Sequence, residues 1–373
     1  MNLVKGLLAW TASAGSGAQW DGSRCAGSEG VCASDCVSAC PAQALAWRDD
    51  ALQPADTCDA CGLCAPACPM GALAVGSVSR TLEEARRRRA ATYWFCERVP
   101  PALRGSGGAC VPCLGALPSE ALVDCAALFS SPVFLQAGPC GECPRGPAYS
   151  SRAQSRLRGL AQYLERVAQK PVLVFGAPSA ETQESRPGLS RRAFFSALRG
   201  SAAVLIPEPE GAPENACIHG PDLSRGTLLM ALRRLSGDRP LPEGGAGALR
   251  ALSLPAVAKE ACTLCGRCAL ACRPGALAVR ISGGTLALEL EADRCTGCAA
   301  CAETCDPAAL TMAESLDAPE GVASLADAPS EICLRCGSPF PKRTSSPATF
   351  CPSCTATALR RAEPRFPGYS QPA

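Results

Sequence analysis

The alternation of apolar and polar positions along the 373 residues changes character twice. In the middle, short apolar runs of strand type, "TYWFCERV", "PVFLQAG" and "KPVLVFGAP", alternate with segments whose apolar positions recur at helical spacing. The predicted helices are "TLEEARRRRAA", "SEALVDCAALFSS" with its Ser cap, and the long amphipathic "SRAQSRLRGLAQYLERVAQ". Strands alternating with helices predict a small parallel α/β layer over 80–176. Residues 177–257 read as a linker with short helices. Within it 177–190 is rich in Ser, Pro and Gly, "SRRAFFSALRG" is a short amphipathic helix, "AAVLIP" is a further strand or strap, and 236–258 is rich in Gly, Pro and Leu. A polar connector follows residue 313, and the tail "EPRFPGYSQPA" reads as frayed.

Toward both ends the periodicity gives way to a repeat. Four segments share one plan: "CAGSEGVCASDCVSACPAQALAW", "CDACGLCAPACPMGALAV", "CTLCGRCALACRPGALAVRI" and "CTGCAACAETCDPAALTM". Each ends in Cys, then Pro one or two residues on, then a small-residue turn and an apolar stretch of strand type. They come in two pairs, which predicts a duplicated module at 20–78 and 258–313, with a last Cys-rich unit at 330–357.

Composition sharpens this picture. Hydrophobic residues make up 47% of the chain but aromatics only 5%, so each small domain has a thin core and needs other support. The 27 cysteines are the candidate. A net charge of +2 gives no field pointing to nucleic acid, and Arg86 to Arg89 read as the solvated end of a helix. The single histidine, His219, excludes HExxH zinc sites, Cys2His2 fingers and Rieske centres, and no CxxCH occurs for covalent haem. Neither GxGxxG after a strand nor GxxxxGK[ST] is found, so no dinucleotide or P-loop site is visible. The N-terminal stretch makes a poor signal peptide, and no run of apolar residues is long enough to span a membrane. A cytoplasmic location is expected. There thiols stay reduced, and clustered cysteines serve as metal ligands or catalytic groups rather than disulfides.

Cys58, Cys61, Cys64 and Cys68 illustrate the chemistry. A cubane cluster presents four irons, each wanting one thiolate. Two-residue gaps let one tight loop cover three corners, and small residues between the cysteines let backbone N–H groups approach sulfide. The fourth cysteine lies too far along to close the same cluster. The spacing C-x2-C-x2-C-x3-C occurs at 58–68, 262–272 and 295–305, and it resembles the bacterial two-[4Fe–4S] ferredoxin family, in which the fourth Cys ligates the other cluster. The resemblance implies one cluster on Cys262, Cys265, Cys268 and Cys305, and its neighbour on Cys295, Cys298, Cys301 and Cys272. In the N-terminal module it implies one on Cys58, Cys61, Cys64 and Cys40, and another on Cys25, Cys32, Cys36 and Cys68. The first segment departs from the family pattern, running C-x6-C-x3-C-x3-C-P, so Cys25 and Cys32 are displaced by the enlarged loop "AGSEGV".

Cys333, Cys336, Cys351 and Cys354 form CxxC-x14-CxxC, two knuckles that close a tetrahedral S4 site of zinc-ribbon type. Zinc is the expected ion and iron the alternative; the role is structural or a docking knob. The stretch 95–147 resembles the small iron–sulfur subunit that links methanogen hydrogenase to heterodisulfide reductase, through Cys96 after a strand, Cys113 in "CLGALP", and Cys140 and Cys143 in "GPCGEC". That resemblance implies a [2Fe–2S] or similar site on these four. Zinc, a redox thiol pair and unliganded structural cysteines stay open beside it. Cys110 is a spare ligand candidate, Cys125 reads as core, and Cys217 as unliganded.

The expected architecture is therefore α+β multidomain: two ferredoxin-like dicluster modules flanking a small parallel α/β domain, with a C-terminal zinc ribbon. The expected function is electron transfer through up to four [4Fe–4S] clusters, between a donor and a partner oxidoreductase such as a hydrogenase, formate dehydrogenase or other molybdenum enzyme. No nucleic acid and no membrane span are expected. The alternative is a thiol–disulfide oxidoreductase using Cys140 and Cys143, and no other substrate site is apparent.

Overall fold

The computed structural model describes residues 17–25, 27, 35–49, 51–88, 92–105, 107–129, 132–177, 224–317, 321–342, 350, 351 and 354. The chain divides into two compact units, Met1–Leu252 and Ser253–Ala373. The stretches "SRRAFFSALRG" and "AAVLIP", with Cys32, Cys217 and His219, lie outside the described residues.

The first unit opens with β1 (Ala18–Trp20), a helical turn α1 (Asp35–Ser38), the hairpin β2 (Leu45–Arg48) and β3 (Ala51–Pro54), a second turn α2 (Cys64–Ala67), and β4 (Leu73–Val75). β2 pairs antiparallel with β3, and β1 with β4. These elements are too short to be stable alone. Trp20 and Trp47 meet edge to face at 6.1 Å and close one side of the module.

Helix α3 (Gly76–Arg88) leads into the parallel layer. This comprises β5 (Tyr93–Cys96), β6 (Ala109–Val111), helix α4 (Ser119–Phe129), β7 (Val133–Gln136), helix α5 (Pro147–Ala168) and β8 (Leu173–Phe175). All three pairings are parallel and the strand order is β6-β5-β7-β8. The chain lays β6 on one side of β5 and then crosses to place β7 on the other. In such sheets, functional groups collect at the carboxyl ends of the strands where the order reverses, here between β5 and β7. The core holds Tyr93, Trp94, Leu122, Leu135, Leu160 and Leu164.

Where the structure describes the span 177–257, read above as a linker with short helices, it contains a helix packed on the α/β layer. Helix α6 (Arg225–Ser236) packs on α4 and α5. Leu228, Leu229, Ala231 and Leu232 recur at helical spacing and are buried. Ser224 Oγ caps the helix by accepting the Thr227 N–H at 3.2 Å, and Gly237 ends it with a positive φ of 64°. Arg225 is buried and donates to the Ala251 carbonyl. Downstream, Arg166 donates to the Glu243 carbonyl at 3.0 Å. Gly245 lies so close to the Tyr163 ring that an added Cβ would come within 2.4 Å of it.

The second unit repeats the first module's plan. Its elements are β9 (Ser253–Val257), α7 (Arg267–Ala271), β10 (Leu277–Ser282), β11 (Thr285–Glu291), the turn α8 (Ala300–Glu303) and β12 (Leu310–Glu314). β10 pairs antiparallel with β11, and β9 with β12. The polar connector expected after 313 is instead largely a strand. β13 (Val322–Ile332) pairs along β11 with a bulge at Leu288/Glu289, and β14 (Pro339–Pro341) joins its far end. Its Ala, Ser and Asp content conceals it, because the β11 edge supplies its hydrogen bonds and only Ala326 is fully buried, with Leu325 and Ala328 packed against the core in part.

Leu232→Ala is expected to cost about 2–5 kcal/mol, seen as a lower unfolding midpoint of the first unit. Met230→Ala, on the exposed side of the same helix, should leave the midpoint near that of the parent protein.

Candidate metal and cluster centres

The three regular cysteine runs fold into one loop shape. In each, the second residue after the first cysteine and the residue after the second cysteine take positive φ: Ala60 and Gly62, Leu264 and Gly266, Gly297 and Ala299. A non-glycine residue in this region costs about 1–2 kcal/mol, so loop-wide constraints must hold Ala60, Leu264 and Ala299 there. The fourth cysteine of every run begins a second shared device. The N–H of the third residue on returns to the cysteine carbonyl, at 3.1 Å from Gln43 to Cys40, 3.2 Å from Gly71 to Cys68, 2.9 Å from Gly275 to Cys272 and 2.8 Å from Ala308 to Cys305. All four of those third residues also have positive φ. The next N–H then points at sulfur: Ala44 to Cys40 Sγ at 3.2 Å, Ala72 to Cys68 Sγ at 3.3 Å, and Ala276 to Cys272 Sγ at 3.2 Å. Donors aimed at sulfur favour its anionic, ligating form.

In the second unit two cavities gather the cysteines across runs. One is lined by Cys262, Cys265, Cys268 and Cys305. The other is lined by Cys272, Cys295, Cys298 and Cys301, with Met312 on its wall. The fourth cysteine of each run thus lies with the first three of the other. An ion pair between Arg267 and Asp306 ties the segment after Cys305 to the opposite loop. Both side chains are exposed, so this pair fixes geometry more than it stabilises. Burial pushes the Cys301 thiol up to about 12 and that of Cys268 to about 11, and the neighbouring sulfurs add to the shift. Such thiols ionise only when a cation binds beside them.

In the N-terminal module sulfurs from two runs gather around Cys64. Burial raises its thiol to about 12, with further contributions from Cys61, Cys40, Cys58 and Cys36 nearby. Cys25 is buried. Its segment is held against the turn after Cys68 by Asp21 N–H to the Ala72 carbonyl at 2.8 Å and Arg24 Nε to the Met70 carbonyl at 3.3 Å.

Cys96, Cys113, Cys140 and Cys143 line one cavity of about 270 Å³ at the carboxyl edge of the parallel sheet. Cys96 ends β5, and its Sγ accepts the Gly138 N–H at 3.1 Å from the loop after β7. This contact sits at the point where strand order reverses. Cys113 follows β6 and accepts the Gly115 N–H at 3.4 Å. Cys110 is exposed on β6, while Cys125 is buried within α4.

The last four cysteines close most tightly. Every pair of sulfurs among Cys333, Cys336, Cys351 and Cys354 lies within 4.8 Å, and Cys336 and Cys351 stand 3.7 Å apart. A tetrahedron with metal–sulfur bonds of about 2.3 Å has edges of about 3.8 Å, so the quartet fits a single ion. Among the described residues no other group of potential ligands is drawn together to this degree. Phe340 packs against Cys333 and Cys351. Burial raises the Cys333 thiol, but N–H groups of Cys351, Cys336 and Arg335 outweigh it and hold the group near 6.

Arg145, with its carboxylate partners Asp59 and Glu97, carried no sequence signal. An arginine two residues past a cysteine has no motif, and its partners lie 86 and 48 residues away.

Cys351→Ala is expected to lose one bound metal ion per chain, read with a chromogenic chelator after gentle unfolding. Ser338→Ala, which removes a hydroxyl beside Cys336 but none of the four ligands, should retain it.

Scanned against models of known protein families, the chain matches none, and no curated protein is found to be similar to it.

Proposed function

We propose that this is an electron-transfer iron–sulfur protein with up to four [4Fe–4S] clusters, a further iron–sulfur centre of [2Fe–2S] or similar type, and one structural zinc. The observation that carries the reading is the crossed grouping of the second unit, where Cys305 shares a cavity with Cys262, Cys265 and Cys268, and Cys272 with Cys295, Cys298 and Cys301. A structural zinc site takes four ligands in one compact shell. Two interleaved quartets looser than the C-terminal one suit larger inorganic cores. In the N-terminal module Cys40, Cys58, Cys61 and Cys64 form the matching quartet, and Cys25, Cys32, Cys36 and Cys68 the displaced one.

Bound clusters supply one-electron chemistry at potentials that the protein sets through hydrogen bonds to sulfur and through exposure. The chain contributes donors such as the Ala44, Ala72 and Ala276 N–H groups, and it buries the ligands. Electrons pass between a donor and the subunit of a partner oxidoreductase. Among the described residues no helix is long and apolar enough to cross a membrane.

The crossed ligation is testable with single variants. Cys272→Ser should disturb the cluster held by Cys295, Cys298 and Cys301 and leave that of Cys262, Cys265 and Cys268 intact. The expected readouts are a loss of up to about four irons and of one reduced-cluster EPR signal. If Cys272→Ser and Cys268→Ser abolish the same signal, ligation follows the runs and the crossed assignment is wrong.

A further inference from the structure

The first unit brings two cysteine quartets against one another through contacts the electron-transfer reading does not require. Leu63, between Cys61 and Cys64, lines the cavity of Cys96, Cys113, Cys140 and Cys143. Two glycines make the approach possible. A Cβ at Gly62 would stand 2.7 Å from Ala116 Cβ, and one at Gly115 would stand 2.5 Å from Leu63 Cδ2. The loop that wraps the N-terminal quartet is thereby packed on the loop that follows Cys113, with no room for a side chain at either glycine.

Arg145 spans the same contact. Its Nε lies 2.8 Å from Asp59, which sits between Cys58 and Cys61. One terminal nitrogen lies 2.8 Å from Glu97, next to Cys96, and the other donates to the carbonyl of Pro112, next to Cys113, at 3.1 Å. Asp59 in turn accepts the Cys61 N–H at 3.2 Å. Each arm of the guanidinium therefore ends beside a cysteine of a different segment, and the side chain is only 12% exposed. Arg145 bears electrostatically on both Cys61 and Cys113. A planar fork with a permanent charge suits this position, and lysine would keep only the charge.

Building on the proposed function, we infer that the centre held by Cys40, Cys58, Cys61 and Cys64 exchanges electrons directly with the centre held by Cys96, Cys113, Cys140 and Cys143. Arg145 is the positioning residue that fixes the contact and raises the reduction potential of both. One electron leaves the reduced centre and enters its oxidised neighbour. No bond to protein forms or breaks, and the transfer needs no proton. Each reduction adds a negative charge, which a nearby guanidinium stabilises, so loss of Arg145 makes both centres harder to reduce.

The test is an EPR-monitored redox titration of the full chain, purified without oxygen, as parent protein, Arg145→Gln and Arg145→Lys, with iron counted in each. Arg145→Gln should lower the reduced-to-oxidised ratio at fixed potential by about tenfold at both centres, or about 59 mV for a one-electron couple. Arg145→Lys should stay near the parent value, whereas a merely structural role would make the two variants alike. Iron retained with neither potential moved, or only one, overturns the inference while leaving the electron-transfer reading in place. A parent protein with iron in the second unit but none in these two quartets overturns the inference alone, and one with no iron in any quartet overturns the electron-transfer reading itself. Should Arg145→Gln lose iron, the parent protein still decides the question. Direct contact requires spin coupling that broadens the N-terminal signal and vanishes in Cys113→Ser, and its absence contradicts the inference.

Discussion

A thiolate taken out of water needs positive charge beside it. Cys61, Cys64 and Cys301 are buried enough that burial pushes their thiols up to about 12, so none would ionise alone near neutral pH. Bound iron or zinc reverses that balance, and the ligation energy becomes folding energy. Under the proposed function the two Cys modules depend on this. Their strands are three to seven residues long and their helices four or five. Apolar burial in such elements cannot support a domain.

The same constraint accounts for the duplicated plan. Both modules run strand, helical turn, hairpin, helical turn, strand, with the outer strands paired and the two hairpin strands paired. Left-handed residues recur at matching places, and half of them are not glycine. Ala60, Leu264, Ala299, Gln43 and Ala308 accept an unfavourable conformation because the loop must turn its N–H groups and sulfurs toward one centre.

What the sequence revealed depended on how local the signal was. Spacing within runs located the loops, and the apolar runs at "YWFC", "VFLQ" and "VLVF" marked strands that are Tyr93–Cys96, Val133–Gln136 and Leu173–Phe175 in the structure. Helix α6 was hidden among Gly- and Pro-rich flanks although its Leu pattern is regular. β13 has almost no apolar signature of its own, since its order comes from the β11 edge. The meeting of Cys96 with Gly138 follows from the strand order β6-β5-β7-β8, which no local pattern encodes. Arg145 is the extreme case, since its role exists only where three distant segments converge.

The central claim is that clusters, and not isolated ions or disulfides, organise the cysteines. Counting iron, acid-labile sulfide and zinc per chain in protein purified without oxygen tests it most directly. With four [4Fe–4S] clusters and the further centre filled, about eighteen irons, a nearly equal amount of sulfide, and one zinc are expected. Several zincs with little iron and no labile sulfide would contradict it.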